Sequence, residues 1–354
     1  MNCNLIHLND SFAWKKYLSM LPCKMQDVYY TPEYYSLYEQ YGDGKACCYI
    51  FEKDGNIALY PFLLNHVNCL GYSLNKEYFD IQGAYGYNGI ISSSMDSDFI
   101  SSFYTEFDGY CKEKNIIAEF TRFHPLLENH RFSQLHMEVL YDRPTMYINL
   151  QGQTYESIFS RFQTTTKKQI RRAKERYNIK VINERKSTQH LDIFLEIYHE
   201  AMNRVNSVPY LYFNRTYFEH LLLNVDSILL TAYYENKPIA SIIALLGSDI
   251  IHGHLGGAKT EYLHLSAYSL LYEEMIRYGL KHRKSYFHAG GGATNNENDP
   301  LLMYKLHFSN TTGDFMIGKK THNQPVYEDV VRQWEQKAGA KKEMYRHQLL
   351  KYRI

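Results

Sequence analysis

Residues 47–64 carry two apolar runs of strand length on either side of Asp54-Gly55, the pattern of a β-hairpin. Residues 228–246 repeat it, with the turn expected on Asn236-Lys237-Pro238. A glycine-bearing strand or loop follows each hairpin, at 83–91 and 252–258, and an amphipathic helix follows that, near 98–114 and 265–282. In the second helix Leu265, Tyr268, Tyr272, Met275, Ile276, Gly279 and Leu280 recur at three- and four-residue spacing. Lys281, His282, Arg283 and Lys284 suit the negative end of its dipole. The echo predicts two copies of one α/β unit. The pattern further predicts strands at 145–150, 179–183 and 285–289, a helical region at 155–177, and one or two helices from Pro325 onward. Pro144, ahead of a strand, marks the expected boundary between the copies.

Composition narrows this to a globular chain of two domains. Its 354 residues exceed one ordinary core, and 45% are hydrophobic against 22% charged. The 34 tyrosines supply rings that bury area while keeping a polar tip. The net charge of +1 conceals a split: residues 1–142 hold 10 Lys and Arg against 18 Asp and Glu, and the remainder holds 29 against 20. The second part is therefore the expected face for an anionic partner. All six cysteines precede residue 112 without zinc spacing, so no metal is expected and the thiols read as free in a reducing compartment. No charged-then-apolar leader and no membrane-length apolar run is present, so the expected location is cytoplasmic.

Four stretches could carry chemistry. From Ser285 a strand leads into Gly290-Gly291-Gly292, and Asp299-Pro300 then opens a helix bearing Lys305. Consecutive glycines admit a ligand close to the main chain, and a lysine beside them suits phosphate or a developing oxyanion. Residues 161–176 place seven basic side chains against one acid; Ile170, Ala173 and Tyr177 form the inward stripe, leaving Lys167, Lys168, Arg171, Arg172 and Lys174 outside. Arg122 and His124 stand two apart at a strand end, a clamp for a carboxylate or phosphate with a donor or base beside it. His252 and His254 form a second pair at strand spacing, next to the small residues Gly256 and Gly257. No GxSxG elbow, phosphate-loop lysine motif or HExxH helix occurs, which argues against the corresponding hydrolases, NTPases and zinc peptidases.

Taken in order, residues 83–89, 119–125, the basic 168–173 and Gly290-Gly291-Gly292 with 302–308 resemble the FemAB-like branch of the GNAT acyltransferase superfamily. The resemblance implies an α/β fold of two tandem GNAT-like domains, each a mixed sheet flanked by helices, with a cleft between them. They would span 1–142 and 143–317, with the helical segment 318–354 returning to complete the first. It implies transfer of an acyl or aminoacyl group from aminoacyl-tRNA or acyl-CoA onto an amine of a cell-envelope precursor, a peptidoglycan peptide or a nucleotide- or lipid-linked sugar. Such an enzyme needs no tightly bound cofactor and uses acyl-CoA at most as co-substrate; tRNA is a partner only if it carries the donor, and contact with the membrane surface would be transient. In this reading Lys305 and His254 are catalytic, with His124 a second candidate base. Arg122, His124, Lys168, Arg171, Arg172, Gly256, Gly257, Tyr268, Gly290, Gly291 and Gly292 bind substrate. The acyl-CoA-binding signature is missing from 256–266, and the coiled-coil insertion of some bridge-forming members is absent. The alternative is a non-catalytic RNA- or precursor-binding protein that keeps the fold.

Overall fold

The first sheet is built from hairpins whose turns set the register. In the computed structural model, which describes all 354 residues, β1 (Asn2–His7) lies antiparallel to β2 (Lys45–Lys53), β2 to β3 (Asn56–His66), and β3 to β4 (Phe79–Gln82). Asp54 and Gly55 both take positive φ, 52° and 79°, the two-residue turn that matches strand twist. The short β5 (Ile91–Ser92) also pairs with β3, and β6 (Ile116–Arg122) runs parallel to β4. Three helices, α1 (Ser11–Ser19), α2 (Pro32–Tyr41) and α3 (Ser97–Glu113), accompany these strands. Phe99, Phe103 and Phe107 of α3 pack against Tyr49, Phe51 and Tyr60 of the sheet. The tyrosine excess is spent here: Tyr30, Tyr34, Tyr35 and Tyr60 are buried, and each hydroxyl donates to a carbonyl or carboxylate.

The second sheet starts with β7 (Glu138–Asn149), one strand that contains Pro144 instead of beginning after it. The expected helix at 155–177 is two helices, α4 (Tyr155–Ser160) and α5 (Thr164–Glu175). The break lets Phe162 bury itself against Phe308 and lets the Gln163 N–H donate to the His307 carbonyl. Then come β8 (Lys180–Arg185), α6 (Leu191–Arg204), α7 (Arg215–Asn224), β9 (Ser227–Tyr234), β10 (Lys237–Leu246), β11 (Ile250–Ala258), α8 (Ala267–Lys281), β12 (Tyr286–Gly291) and α9 (Pro300–Leu306). The β9–β10 turn falls on Glu235 and Asn236, earlier than expected, because these two residues take the positive φ that the turn needs. Pro238 enters β10 at a register irregularity, where its missing N–H breaks no ladder. The order in this sheet is β7-β12-β11-β10-β9-β8, with only β11 and β12 parallel. Leu270, Leu271, Met275 and Ile276 of α8 fill the core with Ile251 and Phe287.

The chain then returns: β13 (Thr312–Thr321) pairs antiparallel with β6, and α10 (Gln324–Lys337) and α11 (Lys341–Met344) follow. Two compact units result, Met1–Asp142 with Asp314–Ile354, and Arg143–Gly313. The return begins at Asp314 and not at 318, because residues 317–321 pair with β6. Val330, Trp334 and Tyr352 bury themselves against Val67, Tyr78, Ile117 and Ala118. Each unit repeats one connection, an antiparallel three-strand meander followed by a helical crossover to a parallel strand: β2-β3-β4-α3-β6 in one and β9-β10-β11-α8-β12 in the other. No helix is long and apolar enough to cross a membrane.

The returning end is anchored by a buried charge. Asp80 is fully buried and accepts from Arg353 Nε at 2.7 and 2.9 Å and from the Tyr352 hydroxyl at 2.8 Å. Burial holds its carboxyl above the ordinary range, and the Arg353 charge opposes that rise. Removing the cation leaves an uncompensated buried carboxyl. Arg353→Met is therefore expected to lower the unfolding free energy by about 3 kcal/mol, read as a shift of the urea midpoint; an unchanged midpoint would contradict the anchoring role.

Candidate functional site

The end of β12 and the start of α9 fold around one carboxylate and one ammonium. Asp299 caps α9 through the N–H groups of Leu301 and Leu302, and Pro300 stands where a helix has no use for an N–H. The same carboxylate accepts from the Thr294 N–H and hydroxyl, both at 2.9 Å. Burial would raise its pKa, but the bonds from Leu302, Thr294 and Ala293 prevail and lower it to about 2. A Cβ at Gly292 would lie 2.6 Å from Asp299, so glycine is what allows the carboxylate to fold back. Lys305, on the inner face of α9, is 8% exposed, and its Nζ donates to the Gly291 carbonyl at 2.6 Å. Burial lowers its pKa to about 8, against the opposing pull of Asp299. Gly290 has φ of 74°, and a Cβ there would meet nothing within 4 Å except Lys305 Nζ at 3.6 Å. A small open cradle at Gly290, on a part-exposed glycine run, therefore faces a buried ammonium. The Gly292 carbonyl accepts from Arg143 Nη1 at 3.2 Å.

Gly256 and Gly257 have packing reasons for their size. A Cβ on Gly256 would lie 2.5 Å from the Ser241 carbonyl of β10, and one on Gly257 would lie 2.4 Å from Ala201 of α6. His252 and His254 do not share a strand face. Ile243 pairs with Leu255 and Ala244 with Gly253, so His254 is the extra residue of a β-bulge. His252 is buried and sits 3.2 Å, Nδ1 to Nδ1, from His288 on the neighbouring parallel strand. Burial, aided by the His252 charge, lowers His254 to about 3. It is neutral at pH 7 and a far weaker base than ordinary imidazole. Tyr268, at the start of α8, packs its ring against Tyr272 and Tyr304, and burial pushes its hydroxyl pKa up.

On α5, Ile170 and Ala173 are buried while Lys168, Arg171 and Arg172 are exposed. The helix is held by a carboxylate that spacing alone did not single out. Glu273 of α8, 2% exposed, accepts from Lys174 Nζ at 2.5 Å and from Arg277 Nε at 2.8 Å. Arg277 in turn lies 3.5 Å above the Tyr155 ring. Lys174 is thus a structural tie, and the exposed basic face consists of Lys168, Arg171, Arg172 and their neighbours. The visible signal for Glu273 was an acid four residues before an arginine on one helix.

In the first unit Arg122 and His124 do not present a common face. His124 is fully buried beyond the end of β6, and its Nδ1 accepts from the N–H groups of Leu126 and Leu127, both at 3.2 Å. Protonating Nδ1 would break both bonds, so the ring acts as the brace of a turn. Arg122 is part-exposed, and its Nη2 donates to the Gly83 and Ala84 carbonyls at 3.0 and 3.2 Å.

Comparison with known proteins agrees with this architecture. The sequence model of the FemAB-like family, described as peptidoglycan biosynthesis/recognition, matches residues 83–298. No curated protein matches the sequence. Among solved structures, FemX superposes with a TM-score of 0.68 at 11% identity, over 93% of this chain and 99% of that one. The C-terminal domain of a putative lysylphosphatidylglycerol synthetase from Agrobacterium fabrum gives 0.55 at 9%, over 88% and 92%. A tandem GNAT protein from the clavulanic acid biosynthesis pathway gives 0.51 at 6%, over 91% and 99%. These likenesses establish the fold, and the match over residues 83–298 establishes the lineage: the chain belongs to the FemAB-like family of peptidoglycan biosynthesis and recognition.

Proposed function

We propose that the protein is an acyltransferase that moves an acyl or aminoacyl group from an activated ester or thioester onto an amine of a cell-envelope precursor. The observation that carries this reading is the cradle between Gly290 and Lys305, where an ammonium already desolvated by the fold faces space beside the main chain. The family gives it its setting in peptidoglycan biosynthesis. In the reaction the acceptor nitrogen attacks the donor carbonyl, a C–N bond forms, and the C–O or C–S bond breaks. The amine's proton leaves with the departing alcohol or thiol or through solvent. Negative charge gathers on the carbonyl oxygen in between, and a preorganised ammonium stabilises that charge more than the ground state. Asp299 and the Gly291 carbonyl hold Lys305 for this role. Neutral His254 serves by accepting a hydrogen bond that orients the attacking amine. Tyr268, Gly256 and Gly257 belong to the donor side, and Arg122 and His124 to the precursor. Lys168, Arg171 and Arg172 offer an exposed cationic face to the phosphates of a donor such as aminoacyl-tRNA.

Three outcomes are expected. With aminoacyl-tRNA or acyl-CoA as donor, Lys305→Ala and Lys305→Met lower kcat by about a hundredfold or more in variants that keep the wild-type circular dichroism; undiminished turnover removes Lys305 from the mechanism. The pH dependence follows from the same group. Its folded pKa of about 8 lies below that of an ordinary lysine, so the active ammonium is lost as pH rises through 8. Accordingly kcat should fall above pH 8, and Lys305→Arg should displace that limb upward; a flat profile from pH 7 to 10 contradicts it. Finally, replacing Lys168, Arg171 and Arg172 by alanine should weaken tRNA binding and flatten the plot of log affinity against log salt by about 2, measured by fluorescence anisotropy. An unaltered slope would place the tRNA elsewhere or exclude it.

A further inference from the structure

We propose that Asn88 and Arg122 together form a binding site in the first unit for an oxyanion, the phosphate or carboxylate group of a ligand. The proposal rests on the transferase reading only for the kind of molecule that brings the anion, an envelope precursor rich in both groups.

Arg122 forms no ion pair. Its guanidinium is satisfied at Nη2 by two main-chain carbonyls, Gly83 and Ala84, while Nε is buried without an acceptor. Phe120 stacks near it, 5.8 Å from ring centre to guanidinium carbon. Asn88 is fully buried and locked at every polar atom but one. Its Oδ1 accepts from the Arg122 N–H at 2.7 Å, its N–H donates to the Arg122 carbonyl at 2.6 Å, and its carbonyl accepts from Asn129 Nδ2 at 2.9 Å and from the Tyr30 hydroxyl at 3.2 Å. Its Nδ2 amide group has no acceptor. Both side chains lie against one residue. A Cβ on Gly83 would lie 2.5 Å from Asn88 Nδ2, and the Gly83 carbonyl is the one that Arg122 Nη2 contacts.

A buried N–H without an acceptor is costly, and a guanidinium withdrawn from water without a counter-charge is costlier. Here the buried amide of Asn88 and the buried Nε of the part-exposed Arg122 belong to residues joined by two hydrogen bonds, and Asn129 and Tyr30 brace Asn88 through its carbonyl. What satisfies two N–H donors beside a positive charge is a group with at least two acceptor oxygens and a negative charge. A guanidinium edge takes such a group in fork geometry, and the amide adds a third direction. Entry lies over the part-exposed Arg122, Tyr85, Gly86 and Tyr87.

Asn88→Asp tests this without removing the brace. The aspartate keeps Oδ1 for the Arg122 N–H and replaces the Nδ2 donor with a carboxylate oxygen, which repels an anion. Thermal unfolding of the full chain is followed while sodium phosphate or sodium acetate replaces sodium chloride at constant ionic strength. The wild type should show a saturating rise in Tm of about 2 °C or more with at least one of the two anions. Phosphate and acetate tell the two sources of the oxyanion apart. Asn88→Asp should show no such rise, and Arg122→Lys, which lacks the Nε donor, a much smaller one. An equal rise in wild type and Asn88→Asp overturns the proposal, as does a wild type that responds to neither anion more than to chloride. Because no turnover is measured, either result leaves the acyl-transfer reading standing or falling on its own test.

Discussion

A lysine ammonium taken out of water has to find oxygen, and in this protein it finds the carbonyl of Gly291. That single bond ties the end of β12 to the inner face of α9 and determines much of what surrounds it. The positive φ of Gly290 turns the strand so that the next carbonyl points at the helix, a conformation that side-chain-bearing residues adopt reluctantly. Gly292 leaves room for Asp299 to reach back, cap the helix and hold negative charge near the ammonium. Without Asp299 burial would depress Lys305 further; with it the amine stays mostly charged at pH 7. An ammonium prepared in this way is suited to meet charge that appears only in a transition state.

The scaffold supplies that geometry twice over in topology but once in chemistry. Both units run a meander into a helical crossover, and both place a glycine-rich segment after their third strand or crossover strand. Only the second unit carries a buried lysine at the corresponding helix. In the first, the glycine loop at 83–89 packs against Tyr29, Phe123 and Asn88, and its neighbouring cation is an arginine that reaches back onto the loop's own carbonyls. The repeat thus sets a buried ammonium in one unit against a guanidinium bonded to its own loop in the other.

Much of the architecture was legible because it rests on short-range pattern. The hairpins showed in their alternation and turn residues, α3 and α8 in their spacing, and the C-terminal helices in the run after Pro325, while the return of that segment to the first unit was implied only by the family resemblance. What escaped depends on contacts distant in sequence. The break between α4 and α5 exists because Phe162 and Gln163 meet residues 307 and 308. The bulge that separates His254 from His252 is a property of the β10–β11 register, which no spacing rule encodes. Gly256 and Gly257 have a reason for their size that spacing does not show, the close approach of a strand and a helix. The same holds for His124, whose ring braces a turn, and for Lys174, whose charge is absorbed by a glutamate 99 positions away. Lys305 was legible as a residue but not as a buried one, since burial is decided by how α9 lies on β12.

The central claim, that Lys305 is a desolvated ammonium kept ready beside Gly290 and Gly291, is tested most directly by watching its own proton. In protein labelled at lysine Nζ with nitrogen-15, with Lys305→Arg used to assign the signal, NMR titration of this amine should give a midpoint near 8. A midpoint at the ordinary lysine value, about 10.4, would mean that the amine is solvated, and the account built on it would fail.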